Sequence, residues 1–164
     1  MKKVFLSVLA VLFLGVFAYA EELKIGYVDI EKVFNQYSGT KTAKEKLKKD
    51  VDKEQKLLEQ EKNAIKKELD ELDKKSAVLD KKQLNAKKEE LQQKAERLQE
   101  KTLDVQQKLI AKEKELTANI IDEIRAIIAK VGKEKKYDYI FEKTILLYGG
   151  EDITYLVIKA INEQ

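Results

Sequence analysis

Between Lys41 and Lys136 the apolar residues keep a seven-residue beat. Val51, Leu58, Ile65, Leu72 and Leu79 form one series. Leu84, Leu91, Leu98 and Val105 form a second, thickened by Ala95, Leu109 and Leu116. This spacing is the period of a helical seam. The step from Leu79 to Leu84 breaks the phase, and the turn-tolerant Ser76, Asp80 and Asn85 surround it. The pattern predicts a helix from about Thr42 to Leu79, a reversal near Ser76–Lys82, and a return helix to about Lys130. An antiparallel hairpin is favoured over one uninterrupted helix because it brings the two chain ends together. At about 1.5 Å per residue each arm projects roughly 50 Å. The seam is thin: Gln55, Lys62 and Ser76 stand four residues after first-series members, where a strong coiled coil carries Leu or Ile. Such a hairpin should bend and splay, supported largely by helix propensity and close Lys–Glu pairs.

The flanking segments follow other rhythms. Leu23 to Val28 reads as a short strand, and Asp29 can cap a short helix running to Gln36. Gly132 is expected to close the long return helix. Tyr139–Phe141 and Thr144–Tyr148 are β-rich runs followed by a Gly149-Gly150 turn. A last helix is expected from Asp152 or Thr154 to Asn162. The fold class is therefore α+β and predominantly helical. A coiled-coil hairpin over 41–136 should project from a small β-rich body made of residues 21–40 and 137–164.

Composition sharpens this division. The hairpin contains no aromatic residue and is about half charged, whereas Tyr27, Phe34, Tyr37, Tyr137, Tyr139, Phe141, Tyr148 and Tyr155 all lie outside it. Rings bury the most area per residue, so the packed core is expected in the body. The hairpin offers no evident broad apolar flank to cover that body. So small a body, with no disulfide or metal, sits near the lower limit for independent folding. Homo-oligomerisation through Ile25, Tyr27, Val28, Phe34, Ile140, Phe141, Ile145 and Leu147 is therefore expected, with 144–148 as the joining edge.

Lys2 and Lys3, the apolar run Val4–Phe17 and Ala18-Tyr19-Ala20 have the layout of a secretory signal cleaved after Ala20. The run is too short for a spanning helix, which needs about 20 apolar residues. An exported, periplasmic product is expected, and losing Lys2 and Lys3 lowers its formal charge from +3 to +1. With no Cys and no His, a thiol nucleophile, a disulfide, a zinc site and an imidazole base are excluded. No base–nucleophile constellation and no phosphate-binding glycine loop is visible, so neither an enzyme nor a cofactor is expected. Interleaved charges without stacking aromatics also disfavour nucleic acid.

Lys24-Ile25-Gly26-Tyr27-Val28-Asp29 with Val33-Phe34 opens the mature chain. Tyr137-Asp138-Tyr139-Ile140-Phe141 and Tyr148-Gly149-Gly150-Glu151-Asp152-Ile153-Thr154 through Val157-Ile158-Lys159-Ala160-Ile161 close it. In that arrangement the whole mature chain resembles the Skp (OmpH) family of periplasmic chaperones. The resemblance implies a homotrimer whose arms enclose a cavity that holds unfolded outer-membrane proteins without ATP. Weak contacts from Leu58, Leu72, Leu79, Leu84, Leu91 and Leu98, diluted by Lys stems, would suit holding and release. The same leucines could instead be consumed in the hairpin's own seam. Lys74, Lys75, Lys81, Lys82, Lys87 and Lys88 make a basic tip that could attract an anionic membrane surface or lipopolysaccharide. A structural coiled-coil adaptor or spacer of the cell envelope is the competing reading.

Overall fold

The computed structural model describes residues 22–163, so the signal expected over residues 1–20 lies outside the described residues. Strand β1 (Ile25–Val28) leads to helix α1 (Ile30–Gln36) and then to two long helices, α2 (Ser38–Lys75) and α3 (Lys81–Lys135). Strand β2 (Tyr139–Glu142), a 3₁₀ turn (Lys143–Ile145), strand β3 (Glu151–Asp152) and helix α4 (Thr154–Asn162) complete the chain.

Local chemistry explains the helix starts. Asp29 has an extended backbone, and its Oδ1 accepts the Lys32 N–H at 2.9 Å, capping α1. Asp80 does the same for α3, its Oδ1 accepting the Gln83 N–H at 2.9 Å. The reversal occupies Ser76–Asp80, inside the predicted window, and Ser76 Oγ donates back to the Asp73 carbonyl at 2.6 Å.

The sheet has the order β2-β1-β3, with both neighbours parallel to β1. Parallel strands require a long crossover. Between β1 and β2 that crossover is the hairpin itself, so the arms are a greatly extended connection within one small sheet.

The core lies under this sheet. Val28, Val33, Ile153, Val157, Ile158 and Ile161 from the two chain ends meet Ile120, Ile124, Ile127 and Val131 from α3. This corrects two expectations. The hairpin does supply a broad apolar flank, because the last third of α3 is an isoleucine-rich core helix. The fully buried side chains are aliphatic, while Phe34, Tyr37 and Tyr137 only pack against the core's margin. A body of two scant chain ends is thus not what must fold, and the size argument for oligomerisation loses a premise.

Two local readings also change. Helix α3 runs through Gly132 and ends at Lys135, with Lys136 adopting the left-handed conformation at φ 56°. Gly132 serves a close approach instead: a Cβ there would stand 2.9 Å from Ile140 Cδ1. Thr144–Tyr148 is not a strand. Its first residues complete the 3₁₀ turn, and the rest is irregular and exposed, with Leu147 fully exposed. The third strand is Glu151–Asp152, which reaches β1 because Gly149 and Gly150, both near φ +83°, reverse the chain just before it.

Candidate functional site

The arms α2 and α3 pack antiparallel, and their register is written in ion pairs. Lys94 Nζ lies 2.6 Å from Glu68 Oε2 and 3.1 Å from Glu90 Oε1. Lys101 pairs with Glu61, and Lys112 with Asp50. The partner on α3 steps back by as many residues as the partner on α2 advances, so one register holds from Asp50 to Glu68. Glu54, Glu61 and Glu68 recur every seven residues on α2, opposite Lys94, Lys101 and Lys108 on α3. Hydrogen bonds donated to Glu68 and then to Glu90 raise the Lys94 ammonium's pKa, and the bond accepted from Lys112 lowers that of the Asp50 carboxyl. One of the two interface layers of an ordinary coiled coil is therefore replaced by charge.

The other layer is apolar. Leu72 and Leu91 are each 6% exposed and Val105 is 9% exposed, while Leu58, Ile65, Leu79, Leu84 and Leu98 are half-buried. Beside this single file of side chains the surface opens into three successive grooves. The first, of about 300 Å³, has Leu72, Leu79 and Leu91 in its wall; the second, also about 300 Å³, has Ala64, Ile65 and Leu98. The third, of about 370 Å³, includes Val105 and Leu109. Glu68 borders the first two and Lys101 the last two, so members of the ion pairs stand between neighbouring grooves.

The six leucines singled out from sequence thus share the seam, where Leu72 and Leu91 are spent on pairing the arms. The exposed apolar side chains on the arms are others: Leu57, Leu69, Leu103 and Ile110 are 40–54% exposed. They carry no seam signal, since they fall outside the seven-residue series. The basic tip comes together around the reversal. Lys75 lies 4.0 Å from Glu71 and Lys87 2.8 Å from Glu90. Lys74, Lys81, Lys82 and Lys88 form no ion pair among the described residues. Lys81 and Lys82 sit in the first turn of α3, where the helix dipole disfavours cations. Val78, 83% exposed, stands at the apex between them and α2.

At the root, a clamp missed by sequence reasoning fixes the bend between α1 and α2. Asn162 Oδ1 accepts the Ser38 N–H at 2.8 Å while its Nδ2 donates to the Gln36 and Ile158 carbonyls. Tyr37 Oη donates to Glu123 Oε2 at 2.8 Å, and that bond pushes the phenol's pKa up. A Cβ at residue 39 would lie 2.3 Å from the Tyr37 ring, so glycine lets the ring stay where it meets Glu123. Thr40 is buried, and its Oγ1 finds no partner among the described residues.

The two chain ends are fastened nearby. Lys24 N–H donates to Asp138 Oδ2 at 2.7 Å, and its ammonium lies 4.0 Å over the Tyr137 ring. Burial, and then the neighbouring Glu151, push the Tyr137 phenol up to about 12. Asp29 is held below the usual carboxylate range, first by the Lys32 N–H and then by Lys143 at 3.0 Å. Of the predicted assembly residues, Val28 is spent in the protomer's own core. Ile25, Tyr27, Phe34, Ile140 and Phe141 are half-buried, and Ile145 and Leu147 are 67% and 100% exposed.

A small sheet built from both chain ends, from which one long charged hairpin projects, defines a class of arm-bearing helical proteins. A family model described as outer membrane protein (OmpH-like) matches residues 24–161. The chain belongs to this OmpH-like family. A crystal structure of an OmpH-like candidate outer membrane chaperone from Caulobacter crescentus has the same fold. It shares 20% sequence identity, with 86% of this chain and 85% of that chain covered and a TM-score of 0.80. No curated protein matches the chain.

Proposed function

We propose that the protein is an ATP-independent holding chaperone of the periplasm that keeps unfolded outer-membrane proteins from aggregating between its arms. The observation that carries this reading is the construction of the arms. Apolar residues line grooves that open to solvent, and charged side chains stand between neighbouring grooves about every second turn of the seam. A surface of that kind makes many weak contacts with an unfolded chain and no strong one, so a client is retained and still released. Family membership and the name of the Caulobacter protein support the same assignment.

The working form in this reading is a homotrimer. Leu23, Tyr139, Ile145, Leu147, Tyr148 and Tyr155 are each more than half exposed on the body among the described residues, a patch of the kind that other copies of the chain could cover. A second partner is an anionic surface, membrane lipid or lipopolysaccharide. It is favoured by Val78 at the apex among lysines that the α3 dipole alone would not retain.

The test is light scattering from a urea-diluted outer-membrane barrel protein. Near-stoichiometric mature protein should suppress the rise. Absence of suppression at any ratio would favour the envelope adaptor or spacer, whose partner would be one fixed protein.

A further inference from the structure

We propose that the seam of the hairpin is itself a binding surface for extended apolar chain, and that the Glu–Lys ladder is the latch that closes it. The inference rests on the holding reading and specifies where and when holding occurs.

The apolar side chains that could hold a client are concentrated in the seam. Leu72 and Leu91 are almost fully covered, and Leu58, Ile65, Leu84 and Leu98 are half-covered, along the face where the two arms pack. On the outside, Leu57 and Leu69 are twelve positions apart and Leu103 and Ile110 seven apart, too sparse for a continuous strip. The largest continuous apolar surface therefore appears only when the arms part. What opposes parting is unusually soft. A single apolar file replaces the two layers of a coiled coil, and the second layer is Glu68–Lys94, Glu61–Lys101 and Asp50–Lys112. All of these charged side chains are 35–47% exposed, so they are rehydrated at once when the pairs separate and screened by salt before that. A buried hydrophobic layer is neither screened by salt nor rehydrated without cost. The grooves between the pairs already reach the seam residues from one side, so an entering chain can replace contacts one groove at a time. The arms are joined only at the reversal and at the root, where the core and the Asn162 clamp hold them, so parting in the middle leaves the body intact.

The chain has no cysteine, which makes the decisive experiment direct. In the full mature protein Glu61→Cys and Lys101→Cys are introduced together, and one sample is closed with a short bis-maleimide. The uncross-linked double variant should suppress barrel-protein aggregation. The cross-linked sample should need at least about tenfold more protein for the same effect, because the multivalent seam contacts are withheld. In parallel, spin labels at Gln55 and Gln107, exposed positions on facing arms outside the ladder, should report a longer and broader distance in 1 M than in 0.05 M salt, where the Debye length is roughly 3 Å against 14 Å. A Glu54→Gln, Glu61→Gln, Glu68→Gln variant should show the longer distance at low salt. Equal suppression by the closed and open samples overturns the latch and leaves the holding chaperone standing. An unchanged label distance in both high salt and the triple variant also overturns it. Failure of every sample to suppress aggregation removes the holding reading and this inference with it.

Discussion

Helix α3 is two different helices joined end to end, and the contrast between its halves explains the molecule. Near the root, Ile120, Ile124, Ile127 and Val131 present a broad apolar face to the sheet and to α4, and Ile124 is fully buried. Towards the tip the same helix keeps only the file Leu84, Leu91, Leu98 and Val105 in the seam, and Leu91 is the most buried of them at 6% exposure. Both halves belong to one unbroken α-helix. What differs is the width of the apolar stripe, and width decides whether a helix becomes part of a core or an arm held by one file of side chains and surface charge. A stable body and compliant arms can therefore share one uninterrupted element.

Truncation should expose this contrast most strongly. Ile124→Ala, in a site closed on all sides, is expected to destabilise the body by about 3 kcal/mol, read as a shift in denaturant midpoint. The matching change in the arm, Leu91→Ala, should cost about 2 kcal/mol or less, because solvent and neighbouring Lys stems can fill the gap. It should appear as faster amide exchange around residues 65–98 with the body's midpoint unchanged. An equal effect of both changes on the body's midpoint would mean that arm and body unfold as one unit.

The junction between the two regimes responds next. Gly39→Ala pushes a methyl group into the Tyr37 ring and should cost about 2 kcal/mol, breaking the Tyr37–Glu123 bond. Tyr37 fluorescence or ring-proton shifts should report the displacement. Thr40→Val is expected to act in the opposite direction. It removes a buried hydroxyl that has no partner among the described residues and should stabilise the root by about 1 kcal/mol.

The smallest effects come from titration, and their signs follow from the direction of each shift. Asp29 and Asp152 have folded pKa values below the ordinary 3.8. Their contribution is complete above the unfolded value, near pH 4, and is lost as pH falls through the lower folded values. Asp29→Asn should flatten the acid limb of a stability-against-pH curve while leaving neutral pH less stable by the loss of the Lys143 pair. Tyr137 moves the other way, to about 12. Its contribution is complete below about pH 10 and is lost as pH rises towards 12. Absorbance of the phenolate against pH, followed with circular dichroism, should show the body opening as that tyrosine ionises.

Much of this architecture could be read from the chain. The two seven-residue series led directly to the paired helices, and Ser76 to Asp80 marked the reversal because the phase of the leucines changes there. Asp29 announced its helix by the reach of a short carboxylate to an N–H three residues on, whereas Asp80, legible only as turn-tolerant, caps α3 in the same way in the structure. The isoleucines after Leu116 were equally visible, yet the absence of rings hid their role as core. The Glu and Lys series could be seen separately, but neither states which partner it faces. The leucines expected to contact clients share the seam, the alternative their spacing leaves open, and the tail 144–148 reads as a strand that no neighbour among the described residues of the protomer supports.

Period and composition, acting over a few turns, determined by themselves that this chain forms a long polar hairpin with apolar termini, because helix formation and capping are short-range events. The tertiary structure alone decided that the end of α3 completes the core, that Glu68 meets Lys94, and that Asn162 holds Gln36 and Ser38. Those contacts join residues far apart in the chain, and their identity depends on how the arms and strands are placed against one another.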